Sequence, residues 1–214
     1  MVGGRSELML SLPADAVIDV EVAFDAIRRA EAALERSDWE DAAGAAAITV
    51  SVADRGLLPG LDGDWVAQQR ARLDEVRLRA LECLADCGLA VGGARLSSTE
   101  RAARALIADA PYRETGYGYL MQALAGRNRV AEALMVFDDV RRLLLDELGT
   151  PPGAGLRSLY ERLLSEHGRP PATERDDPLA GGAATAPALT PIALPTLLLT
   201  VAGRRLRTAW RWVR

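Results

Sequence analysis

Residues 114–149 read ETGYGYLMQALAGRNRVAEALMVFDDVRRLLLDELG, and their pattern decides the fold. Leu120, Met121 and Leu124 recur at helical spacing up to Gly126, and a second periodic run spans Val130 to Leu148 before Gly149. The order is a helix with large apolar side chains, a glycine turn, then small residues (Ala131, Ala133) opening the next helix. Small residues there let two helix backbones approach closely. That is the physical logic of a tetratricopeptide-like pair, whose repeat is about 34 residues. One pair cannot bury its apolar face alone, so several must stack. The expected fold is all-α, with antiparallel helix pairs stacked as a tetratricopeptide-like superhelix; a plain helical bundle is the alternative.

The flanking sequence supplies further helices. Leu156 to about Glu166 follows Pro151-Pro152. Ser98 heads a helix to about Asp109, which Pro111 ends; the acid of a capping box, Glu100, stands one position early there. The longest helix is predicted from Asp64 to about Cys87, with Trp65, Val66, Leu73, Val76, Leu81 and Leu84 on its apolar side and Gly88 as its stop. Leu57-Leu58-Pro59-Gly60 marks a loop before it. Two earlier helices are predicted over Glu21–Arg36, capped by Asp19, and over the alanine-rich Trp39–Val52.

Composition divides the chain into a short extended lead-in over residues 1–18, a helical domain over 19–167, a Pro/Gly/Ala linker over 168–195 and a basic amphipathic tail over 196–214. All 26 basic residues are arginine, which marks a GC-rich coding genome rather than a function, and the formal net charge of -4 gives the whole chain no strong pull on nucleic acid. Only two cysteines occur, with no signal-peptide core and no apolar run of transmembrane length, so a reducing cytoplasm is the expected location.

Chemistry is sparse. Cys83 and Cys87 lie i, i+4 on one helix, but zinc wants four ligands and the single histidine, His167, is remote; buried helix cysteines are the better reading. No phosphate loop, nucleophile setting or credible general base occurs, so neither an enzyme nor a cofactor is expected. Residues singled out for partner binding are Arg113, Tyr117 and Arg70; the alternatives are that Arg113 pairs a neighbouring acid and that Tyr117, with Tyr112 and Tyr119, packs between helices with its hydroxyl at the edge. Tail contacts would come from Arg204, Arg205, Arg207, Trp210, Arg211 and Trp212. They suit an anionic membrane surface, docking on the domain, acidic protein or nonspecific nucleic acid.

Several spaced pieces together carry a family resemblance. They are Leu57-Leu58-Pro59-Gly60, Trp65-Val66, Arg70, Arg72-Leu73, Arg77 to Glu82, Ala108 to Glu114, Leu120 to Leu124, Gly126-Arg127, Ala131 to Leu134, Phe137, Leu145 to Pro152, Leu156 and Leu159-Tyr160. Over about residues 19–164 the chain resembles the bacterial transcriptional activator domain of SARP-type regulators. That resemblance implies a tetratricopeptide-like domain serving self-association, regulation or contact with the transcription machinery, and partners such as RNA polymerase or a winged-helix regulator. In such proteins the domain usually follows a winged helix-turn-helix of the OmpR type. Here only Leu8 to Pro13 looks like the end of such a unit, so no sequence-specific DNA binding is expected from these residues. The alternative is a stand-alone helical-repeat adaptor, brought to a membrane surface by its tail.

Overall fold

The structure, a computed structural model, describes Pro13 and residues 15–167. Among them are seven α-helices, one 3-10 turn and no strand: α1 Asp19–Glu35, α2 Trp39–Ala53, α3 Asp64–Val91, the 3-10 turn Gly93–Arg95, α4 Leu96–Asp109, α5 Glu114–Gly126, α6 Val130–Leu148 and α7 Ala154–His167. The lead-in Leu8–Leu12, the linker 168–195 and the whole tail, with Arg204, Arg205, Arg207, Trp210, Arg211 and Trp212, lie outside the described residues.

Successive helices pair as antiparallel hairpins in two layers. In one layer α1 packs on α3, α3 on α5 and α5 on α7. In the other, α2 lies against α1 and α3, α4 against α3 and α5, and α6 against α5 and α7. This is the tetratricopeptide-like stacking that the helix–glycine–helix pattern calls for.

The repeat is visible in the turns. Between α1 and α2, Ser37 takes φ 58°, its N–H bonds to the Leu34 carbonyl, and the Asp38 N–H bonds to Ala33. Between α5 and α6, Asn128 takes φ 59°, its N–H bonds to the Ala125 carbonyl, and the Arg129 N–H bonds to Leu124. The same three-residue connection thus closes the first and third pairs. A small polar residue sits at each left-handed position, where a β-branched or bulky one would be strained.

Close helix approach rests on small side chains. Ala42, Ala45 and Ala46 of α2 are buried, and the Thr49 hydroxyl donates across to the Ala23 carbonyl of α1 at 3.2 Å. Ala133 is fully buried in α6, and at Gly116 of α5 an added Cβ would come within 3.1 Å of Ile107 on α4. The larger core runs from α4 to α7 around Leu120, Met121, Leu124, Val140 and Leu144, with Phe137 stacked on Tyr160 at 4.2 Å. A second core around Ile27, Val76 and Ala80 joins α1, α2 and α3. Each fully buried large aliphatic side chain contributes roughly 2–3 kcal/mol.

Four local expectations are corrected. Gly88 does not stop α3: it is buried inside the helix, which continues to Val91 and ends at Gly92, φ 68°. Helix α4 starts at Leu96, not Ser98, because the 3-10 turn leads directly into it. Asp19 is not the cap of α1; Ile18 holds that place and Asp19 lies in the first turn. Trp65 leaves the apolar face of α3 and is 63% exposed, while Val66 beside it is buried.

The end of the array is held by one carboxylate. Glu114, in the first turn of α5, accepts the Gly153 N–H through both oxygens at 3.0 and 2.8 Å, directly before α7 begins. A carboxylate is favoured there by the positive ends of two helices. Glu114→Ala is expected to cost about 1–2 kcal/mol, since a hydrogen bond to a charged group is lost. Hydrogen exchange at 157–163 should accelerate before that of α4 and α5; uniform acceleration would contradict the assignment.

Candidate partner-binding site

Of the residues singled out in the sequence, Arg70, Arg113 and Tyr117 are described, and all three direct their polar atoms into the chain. Arg70 on α3 reaches back to the α2–α3 loop. Its Nε donates to the Leu57 carbonyl at 2.9 Å, and its Nη2 donates to Leu58 at 2.7 Å and Leu61 at 2.9 Å. Arg113, at the start of α5, pairs with two acids of α3, Glu75 at 3.2 Å and Glu82 at 2.9 Å. The Thr115 hydroxyl donates to Glu82 at 2.7 Å beside it. Tyr117 is buried and donates its hydroxyl to the Pro111 carbonyl at 2.9 Å. Arg70 and Arg113 therefore join different parts of the array rather than converging on one surface.

What Arg70 fixes is a solvent-facing apolar segment that periodicity missed. Leu58 is 41% exposed, Leu61 55% and Trp65 63%, with exposed Asp62 and Asp64 between them. Leu58 takes φ 47°, a left-handed conformation that costs a leucine backbone energy. A planar guanidinium clamping three carbonyls holds the loop in that conformation. The legible signal was there: two leucines and a tryptophan within eight residues, broken by Pro59 and Gly60, cannot all reach a core.

Electrostatic ties elsewhere connect helices. Glu100 on α4 is buried and pairs with Arg104, Arg127 and Arg129; the hydrogen bond from Arg104 holds its carboxyl below the usual glutamate range. Arg79 of α3 ties to Glu31 of α1. Cys83 and Cys87 are free and buried, and burial pushes the Cys83 thiol up to about 12 and that of Cys87 upward as well. Neither thiol is a nucleophile at neutral pH, because the thiolate is the reactive form. Both are expected to ignore a disulfide reagent such as DTNB in the folded chain and to react together on unfolding; fast labelling of either in the native state would contradict the packing.

The family model described as the bacterial transcriptional activator domain matches residues 18–164, α1 through most of α7. The chain belongs to that family. Among similar proteins are the regulatory protein AfsR of Streptomyces coelicolor, 36% identical over 191 residues, and AfsR of Streptomyces griseus, 34% identical over 200. The first alignment covers 89% of this chain and 19% of that protein, the second 90% and 20%. The regulatory protein DnrI of Streptomyces peucetius is 32% identical over 123 residues, 58% of this chain and 43% of DnrI. The chain thus spans about a fifth of the length of the two AfsR proteins. A transcriptional activator domain is not a class of enzyme. Among its described residues no helix is long and apolar enough to cross a membrane.

Proposed function

We propose that this activator domain is the protein-interaction part of a cytoplasmic transcription regulator, contacting the transcription machinery rather than reading DNA sequence itself. The observation that carries the reading is the segment 57–65. A loop held in a strained shape by Arg70, with Leu58, Leu61 and Trp65 facing water, is what a preorganised protein contact requires. An exposed tryptophan on a rigid support is the residue type that dominates interface energies. Asp62 and Asp64 favour a partner surface with a basic rim around an apolar pocket. The family supports the setting in gene regulation.

Trp65→Ala tests this. The variant is expected to melt within about 0.5 kcal/mol of the parent, as surface substitutions do. Its affinity for RNA polymerase should fall about tenfold or more, as for a tryptophan at an interface centre. The Arg70→Met variant should weaken binding as well, by releasing the loop. A parent chain that binds no RNA polymerase, or a Trp65→Ala variant that binds as tightly as the parent, would end the proposal.

A further inference from the structure

Helices α2 and α4 both pack on α3 and leave between them a groove of about 1140 Å³ on the layer opposite α1, α5 and α7. Its floor is Leu81, Leu84 and Val91 of α3 with Val50 of α2. Its walls are recessed by small residues: Ala43, Gly44 and Ala47 on α2, Ala102 and Ala105 on α4. At one end Arg77 pairs with Asp54, after α2, and with Asp109, at the end of α4, so a single guanidinium sets the spacing of the walls. At the other end half-buried Trp39 stands in the mouth.

Two observations say that the groove is built to be covered. First, the α2 residues that line the groove beyond Glu40, namely Ala43, Gly44, Ala47 and Val50, carry no charge, although Gly44 and Ala47 face solvent. A surface helix normally carries charge on its wet face. Second, the two rims carry opposite, unspent charge. Glu40 on the α2 side and Arg95 and Arg101 on the α4 side have no ion-pair partner among the described residues.

We propose that this groove receives an amphipathic helix of a protein partner, apolar toward α3, with basic side chains along the α2 rim and acidic ones along the α4 rim. A helix fits better than an extended peptide. The walls are helices whose backbone groups are already bonded, so they offer a strand nothing to pair with, whereas small-residue surfaces accept the side-chain ridges of another helix. The volume agrees: a helix about 10 Å wide, rising ~1.5 Å per residue, fills such a space with roughly three turns. A nucleic acid or anionic lipid surface would press its negative charge against Glu40 and Asp38. The groove is separate from the Trp65 segment, which spans the loop before α3 and the first residues of that helix.

The probe is a fluorescein-labelled, 16-residue helical peptide with a leucine/alanine face, glutamates along one flank and lysines along the other. Companion peptides carry glutamate, or lysine, on both flanks. Binding to the full chain is read by anisotropy. The mixed peptide is expected to bind at least tenfold more tightly than either companion. Glu40→Arg, which makes both rims basic, should move the preference to the all-glutamate peptide. Gly44→Gln with Ala47→Gln fills the groove with good helix formers at exposed positions and should weaken binding tenfold or more without unfolding α2, while Trp65→Ala leaves it unchanged. No binding of the mixed peptide, or binding indifferent to the filled groove, overturns the proposal. So does a dimer in sedimentation that the same double variant dissociates, which would give the groove to a second copy.

Discussion

Gly88→Ala is expected to lower stability by about 2–3 kcal/mol, although the same change in an ordinary exposed helix raises it by ~1 kcal/mol. A Cβ at this position of α3 would lie 2.1 Å from the Thr99 hydroxyl oxygen and 3.1 Å from the Arg95 carbonyl oxygen. Thr99 is fully buried and its hydroxyl donates to the Ala85 carbonyl at 3.3 Å, so rotating it away strands a polar group that has nowhere to go. The Arg95 carbonyl is backbone and already accepts the Ser98 hydroxyl at 2.6 Å. Relief therefore needs α4 to lift from α3 at its first turn, which loosens the joint that sets the second helix pair and one wall of the groove. For a domain of this size the thermal midpoint should fall by roughly 4–12 °C, read by circular dichroism. Gly88→Ala with Thr99→Ala should recover at least half of the loss, because the 2.1 Å clash with the Thr99 hydroxyl disappears while the 3.1 Å contact to the Arg95 carbonyl and the 3.3 Å contact to Cβ remain. A Gly88→Ala variant as stable as the parent would contradict the close approach of α3 and α4.

That position also shows where sequence reading stops. A glycine that ends a helix and one that lets a second helix touch it look identical in a local pattern; Gly88 does the second and Gly92, four residues on, does the first. Helix α6 was legible to the residue, because Gly126 and Gly149 bracket a strong periodic run and no long-range packing shifts its ends. The chain's all-helical stacking was legible for the same reason, with the family resemblance adding the gene-regulatory setting. Site residues were not. Arg113 finds its acids 38 and 31 residues upstream, and periodicity says nothing about which charge meets which across helices. Trp65 counts among the apolar positions of α3, yet it faces solvent beside the buried Val66, and spacing alone does not say which of two adjacent apolar residues at a helix start is covered. The tail's arginines and tryptophans lie outside the described residues.

Glu100→Gln is expected to cost about 2 kcal/mol at neutral pH. The figure is below the ~3–5 kcal/mol of a fully buried broken ion pair, because the three arginines are partly wet and rehydrate. Glu100 itself is only 9% exposed, and it is the shared acceptor of Arg104 at 2.9 Å, Arg129 at 3.1 Å and Arg127. Arg127 and Arg129 flank the left-handed Asn128 in the α5–α6 turn, so one carboxylate on α4 holds the turn of the next pair. Glutamine keeps the shape but loses the charge, leaving three guanidiniums facing each other. Hydrogen bonding from Arg104 and the charges of Arg129, Arg104 and Arg127 hold the Glu100 carboxyl below its ordinary value. A lowered folded value contributes stability that is present above the unfolded glutamate pKa of ~4.3 and is lost as pH falls through the folded one. The gap between parent and variant should therefore be full at pH 7 and close as pH falls below about 4, measured by urea denaturation at constant ionic strength. Amide exchange in the 127–133 segment should rise in the variant while α1 and α2 stay protected, since they share no contact with this cluster. Equal stability at pH 7, or a gap that persists unchanged in acid, would show that the arginines cluster there for some reason other than this carboxylate.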